Sequence, residues 1–105
     1  MYARVTEFDV DTRDIDLEVA QESFEKLVLP EMRKETGYEG FYLLRTKRGK
    51  GLLIALWEDE QAAVSSENTG YYAEQLELWF PLLGKHPPER DLFEVAIADH
   101  PEEIE

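Results

Sequence analysis

Hydrophobic patterns follow one another along this chain in the order strand, helix, strand, strand, helix, strand, with little between them. Tyr2 to Phe8 alternates, Ala3 and Val5 to one side and Tyr2, Arg4, Thr6 and Phe8 to the other, which is the period of a half-buried strand. Asp9 to Asp14 is a polar connection. From about Asp16, Leu17, Ala20, Phe24, Leu27 and Val28 recur at helical spacing. Pro30 has no N–H to donate and crowds the preceding turn, so the helix is predicted to kink or restart there, with Met32 continuing its apolar face. Gly37 is predicted to end the helix in a left-handed conformation.

Phe41–Thr46 and Gly51–Trp57 read as the next two strands, joined by a short basic turn in which Gly49 supplies the positive φ. Leu52 to Trp57 is apolar at every position, which predicts a central strand covered on both faces. Glu58-Asp59-Glu60 places acids at a helix start, where the helix dipole favours them. That helix breaks near Asn68-Thr69-Gly70, and Tyr71 to Leu83 continues with Tyr72, Leu76, Trp79, Phe80 and Leu83 on one stripe. Lys85 to Arg90, with Pro87-Pro88, reads as a rigid loop, Leu92 to Ala98 as the last strand, and Asp99 to Glu105 as an acidic tail. The pattern defines an α+β fold, the ferredoxin-like βαββαβ unit with a four-stranded antiparallel sheet, as a single domain over residues 2–98. Both helices fall on one face of such a sheet. The other face needs a cover, and a second copy of the chain is the expected one.

Composition narrows what such a domain can do. There is no cysteine, which excludes disulfides, thiol catalysis and Cys-ligated zinc. Two histidines, His86 and His100, offer little for a metal site, and adjacent acids such as Glu102-Glu103 diverge in direction. No glycine motif cradles a phosphate. No metal, flavin or haem is therefore expected. The net charge of −13 argues against nucleic acid and anionic membranes as partners, because their phosphates repel it. No apolar run reaches the length of a membrane span, and MYARVTEFDV has no signal-peptide pattern, so a soluble cytoplasmic protein is expected.

The segment Gly37-Tyr38-Glu39-Gly40-Phe41 is followed by a strand, a basic hairpin and a strand that ends in Leu56-Trp57-Glu58-Asp59-Glu60-Gln61-Ala62. This run resembles the dimeric α/β-barrel superfamily, in particular the antibiotic-biosynthesis-monooxygenase-like domains, over about Tyr2 to Ala98. The resemblance implies two ferredoxin-like sheets paired face to face. It also implies a range of activities, from cofactor-independent oxidation of aromatic compounds to haem degradation. The family's polar residues carry over poorly. Ala55 stands where a common member has glutamate, and Ser66 stands near the position of a frequent histidine. Ser65 to Leu76 holds neither the tryptophan nor the histidine of the haem-degrading members, which argues against haem degradation.

Several side chains remain as candidates, each with a structural alternative. Of the adjacent Tyr71 and Tyr72, one is expected in the core and the other can present its hydroxyl to a cavity as proton donor. The alternative is a buried hydroxyl bonded locally. Trp79 shares their stripe and reads either as core packing or as a wall for substrate. If Ala3 and Val5 face the helices, Arg4 and Thr6 face a cavity or a dimer seam. A covered arginine there needs an anion, either Glu94 on the last strand or a ligand carboxylate or phenolate. Arg45 poses the same choice. The stretch from Gly40 to Trp57 holds Arg45, Lys47, Arg48 and Lys50 and no acid, so it either steers anions or simply complements its acidic surroundings. His86 is a possible base with no carboxylate partner visible in the sequence. Two functions follow. One is a cofactor-independent monooxygenase-like enzyme acting on a small aromatic or anionic molecule, with Tyr71, Tyr72 and His86 as catalytic residues and Arg4, Thr6, Arg45 and Trp79 binding the substrate. The other is a non-catalytic dimeric barrel that binds a small ligand or is purely structural.

Overall fold

The computed structural model describes residues 1–13, 16–68 and 90–101. Four strands, β1 (Tyr2–Asp9), β2 (Tyr38–Arg45), β3 (Lys50–Trp57) and β4 (Arg90–Glu94), form one antiparallel sheet in the order β2-β3-β1-β4. Helices α1 (Leu17–Leu27), α2 (Leu29–Met32) and α3 (Glu60–Asn68) complete the described elements. The ferredoxin-like α+β expectation is met, and β3 is a central strand. Among the described residues no helix is long and apolar enough to cross a membrane.

Local chemistry explains the boundaries. Asp16 caps α1, its carboxylate accepting from the backbone N–H groups of Glu18 and Val19 at 3.0 and 3.3 Å. Pro30 interrupts the helix as expected: α1 stops at Leu27 and α2 restarts at Leu29 with the proline in its first turn, where a missing N–H costs nothing. Leu27 falls off the buried stripe and is 52 % exposed, whereas Phe24, Val28 and Met32 are buried. Gly37 is not the helix cap. α2 ends at Met32, turns follow, and Gly37 closes them at φ +83° just before β2. Gly49 has φ +96° in the hairpin, as predicted, and its carbonyl accepts from the Val10 N–H at 3.0 Å.

The last strand also differs from expectation. It runs from Arg90 to Glu94 rather than from Leu92 to Ala98. β4 pairs only with β1, and β1 begins at Tyr2, opposite Glu94. Beyond that point only the Val95 N–H finds a β1-side acceptor, the Met1 carbonyl. Ile97 keeps its strand-like sequence pattern but is 87 % exposed.

One sheet face carries the helices. Trp57 and Ala55 lie on it, buried with Phe24, Val28, Met32 and Ala63, while Leu53 and Phe8 are buried with Val10 in a second cluster against which Leu17 packs. Phe24 stacks on Phe41 at 5.1 Å, and Tyr38 meets Trp57 edge-on at 5.9 Å. The opposite face presents Val5, Leu52, Ile54 and Leu56, half-buried within the single chain, and Tyr42, Leu44 and Phe93, all exposed. The expectation that β3 is covered on both faces is thus met on one face within the chain.

Candidate functional site

Strand register decides which side chains meet. Arg4 lies opposite Ala55 on β3 and Leu92 on β4, and Thr6 lies opposite Leu53 and Arg90. Ala55 and Leu53 belong to the helix-covered face, so Arg4, Thr6 and Arg90 do as well. The premise that Ala3 and Val5 face the helices is therefore reversed. Both faces of the sheet are apolar, so the alternation in β1 gives no sign of which side is inside, and the bulk of Phe8, packed with Val10 and Leu53, takes the inner face.

The three polar residues line a cleft between α1–α2 and the sheet. Phe24 and Met32 wall it from the helices, and Phe41, Leu53 and Ala55 from the sheet. Its free space is about 10 Å³, which holds about one water-sized group. Thr6 is 3 % exposed, and its hydroxyl accepts from Arg90 Nε–H at 3.2 Å. No carboxylate lines the cleft among the described residues. Two guanidinium groups and a hydroxyl thus share one end of an otherwise apolar enclosure. Apolar walls lower the local dielectric, which strengthens any charge-assisted contact made there.

The other predicted residues divide clearly. Arg45 is on a strand but is exposed at the end of β2, opposite Gly51, and does not line the cleft. A cation on a covered face describes Arg4 and not Arg45, because β2 leaves the sheet at the basic hairpin. Glu94 lies exposed opposite Tyr2. Tyr71, Tyr72, Trp79 and His86 lie outside the described residues. Pro87-Pro88 and the flanking charges predict a loop through Arg90, but Arg90 is the first residue of β4. Arg90-Asp91-Leu92-Phe93-Glu94 has no polar–apolar alternation, so no local pattern marks where this strand begins.

The two positions at which this chain departs from the resembled domains are both buried. Ala55 is 4 % exposed and contributes only a methyl group to the cleft wall. Ser66 is 2 % exposed, and its hydroxyl donates to the Ala63 carbonyl of its own helix at 2.8 Å. Burial pushes the Tyr38 phenol above its ordinary range, against a smaller opposing pull from Arg33, so Tyr38 stays neutral at physiological pH. Among the described residues no three His, Cys, Asp or Glu side chains gather as metal ligands.

Searched by sequence, the chain matches no protein-family profile and no curated protein. Its fold is that of the antibiotic-biosynthesis-monooxygenase-like proteins. SnoaB, a cofactor-independent oxygenase from Streptomyces nogalater, is similar at TM-score 0.73 and 19 % identity, over 92 % of this chain and 94 % of its own. The monooxygenase from the gene ActVA-Orf6 of Streptomyces coelicolor, solved with the ligand nanaomycin D, is similar at TM-score 0.68 and 24 % identity, over 96 % of this chain and 92 % of its own. The heme-degrader MhuD from Mycobacterium tuberculosis, solved with two hemes in its active site, is similar at TM-score 0.67 and 15 % identity, over 95 % of this chain and 100 % of its own. At these identities the likeness is one of fold, and a fold does not carry a reaction with it.

Proposed function

We propose that the protein is a cofactor-independent monooxygenase of the general kind found among its structural neighbours, acting on a small aromatic or anionic molecule whose charged group meets the arginine-lined cleft between α1–α2 and the sheet, the cleft itself having room for about one water-sized group. The observation that carries this reading is the placement of Arg4 and Arg90 at one end of a cleft walled by Phe24, Met32 and Phe41. A phenol bound beside two guanidinium groups ionises more readily, because the opposite charge favours the charged form. The resulting phenolate is electron-rich at its ring carbons, where dioxygen as oxidant can react. In the same reading Tyr71 or Tyr72 supplies a proton, Trp79 a wall and His86 a more distant base. The helix-free face closes against a second copy, and the protein works in the cytoplasm.

A second reading, a binding or structural dimer without chemistry, is favoured by Ala55 and Ser66. The first puts no base in the cleft, and the hydroxyl of the second is committed to its own helix. Binding separates an occupied cleft from a filled one. With a panel of aromatic acids and phenols, Arg4→Met is expected to weaken the tightest anionic ligand about ten- to a hundredfold, the worth of one charge-assisted hydrogen bond. The melting temperature without ligand should stay close to that of the wild type. If the variant melts much lower and the ligand response is unchanged, Arg4 is a structural ion-pair residue. Oxygen uptake with the same panel then divides enzyme from binder.

A further inference from the structure

We infer that the helix-free face meets its second copy with the strands of the two sheets antiparallel, so that the basic hairpin of each copy lies over the acidic end of the other's sheet. This rests on the reading that a second copy closes that face, and goes further by naming what orients it. The two ends of the sheet carry opposite charge. Arg45, Lys47, Arg48 and Lys50 stand at the β2–β3 turn, all exposed. At the other end Tyr38 and Tyr2 flank Trp57, and Glu94 lies opposite Tyr2. Glu39 follows Tyr38 and Glu58 follows Trp57, and both are exposed, as are Asp59, Glu60 and Glu94. Asp59 is occupied locally, its carboxylate accepting from the Ala62 N–H at 2.7 Å. Among the described residues none of the four hairpin cations, and none of Glu39, Glu58, Glu60 and Glu94, forms an ion pair.

Within one chain the two ends do not neutralise each other. They are the two ends of β3, Lys50 and Trp57, which lie about 23 Å apart at the rise of a strand. That is more than two screening lengths of about 8 Å at physiological salt. Glu7 and Asp9 share the hairpin end on β1, and Asp9 stands directly opposite Lys50 without pairing with it. The four cations outnumber these two acids. A twofold axis between two aligned sheets can run along the strands or across them. Along the strands, it stacks hairpin on hairpin and acid on acid, and like charges set against each other oppose association. Across the strands, it sets each hairpin over the partner's acidic end, with Val5, Leu52, Ile54 and Leu56 between them. The apolar middle attracts without direction, and the charged ends supply the direction.

Dimer dissociation constants from sedimentation equilibrium at low salt test the arrangement. Lys47→Glu with Arg48→Glu is expected to weaken the dimer by about tenfold or more. Greater repulsion between two acidic chains would do the same. Glu39→Lys with Glu58→Lys separates the two causes. It removes negative charge, so general repulsion predicts a tighter dimer, whereas contact with the partner's hairpin predicts a loss of about tenfold. All four substitutions together restore opposite charges at the facing ends and are expected to return the dissociation constant to within about threefold of wild type. Should a charge-reversed pair fail to fold by circular dichroism, the neutral Lys47→Gln with Arg48→Gln, or Glu39→Gln with Glu58→Gln, takes its place, with an expected loss of about threefold. A tighter dimer from the Glu39 and Glu58 pair, or no rescue in the combined variant, overturns the antiparallel arrangement. Dissociation constants that are equal throughout overturn it as well, because the ends then never meet. A wild-type monomer at micromolar concentration instead removes the second copy, and with it the reading on which the arrangement rests.

Discussion

Ile54→Glu is expected to turn the proposed dimer into a folded monomer. Ile54 sits in the middle of β3, between Val5 on β1 and Tyr42 on β2, at the centre of the helix-free face. Around it lie Leu52 and Leu56, half-buried, and Leu44 and Phe93, exposed at 48 % and 51 %. An apolar patch of this extent on a sheet marks an interaction surface, and a twofold axis lets one patch cover another. A glutamate there is solvated in the monomer but buried in the dimer, once from each copy. Uncompensated burial costs about 3 kcal/mol or more per charge, so dimerisation should weaken on the order of 10⁴-fold. Sedimentation velocity at micromolar concentration should show wild-type dimer and mutant monomer with the same circular dichroism. A wild-type monomer at that concentration removes the second copy from the account of this face.

Gly37→Ala is expected to destabilise the fold strongly, and by two separable causes. Gly37 has φ +83°, a region that costs an L-residue about 1–2 kcal/mol. A methyl group there would also stand 2.5 Å from the Ala62 Cβ on α3, and overpacking of that kind costs about 1–3 kcal/mol. The site cannot relax freely, because the Gly37 carbonyl accepts from the Glu58 N–H at 2.7 Å and ties the start of β2 to the end of β3. The combined loss, about 2–5 kcal/mol, should appear in urea unfolding. In an Ala62→Gly background the same substitution should cost only the conformational part, about 1–2 kcal/mol. Equal losses in both backgrounds would show that the approach of α3 is not what requires glycine.

The positions most legible in the sequence are those where one residue type admits one backbone solution. Pro30 restarts a helix, Gly49 turns a hairpin, and the unbroken apolar run of β3 places that strand inside the sheet. Gly37 was legible as a left-handed residue but not as the end of a connection five residues past its helix. The site was legible in part. Arg4 and Thr6 stood out as polar residues on an apolar strand, yet their facing was inverted, because a sheet with two apolar faces gives no inside and outside to read. Arg90 was hidden by the prolines before it. Its place is set by pairing with Thr6 84 residues away, which no local pattern contains. Where β4 stops is likewise set by the first residues of β1 and not by its own sequence, which keeps a strand pattern through Ala98.

Backbone amide shifts in a two-dimensional NMR titration with benzoate test most directly whether the cleft is the ligand site. Arg4, Thr6, Ala55 and Arg90 should shift together and saturate at one affinity, and Arg90→Lys should weaken that affinity at all of them at once. Shifts confined to Arg45, Lys47, Arg48 and Lys50 in the exposed hairpin, with the cleft amides unmoved, would contradict it.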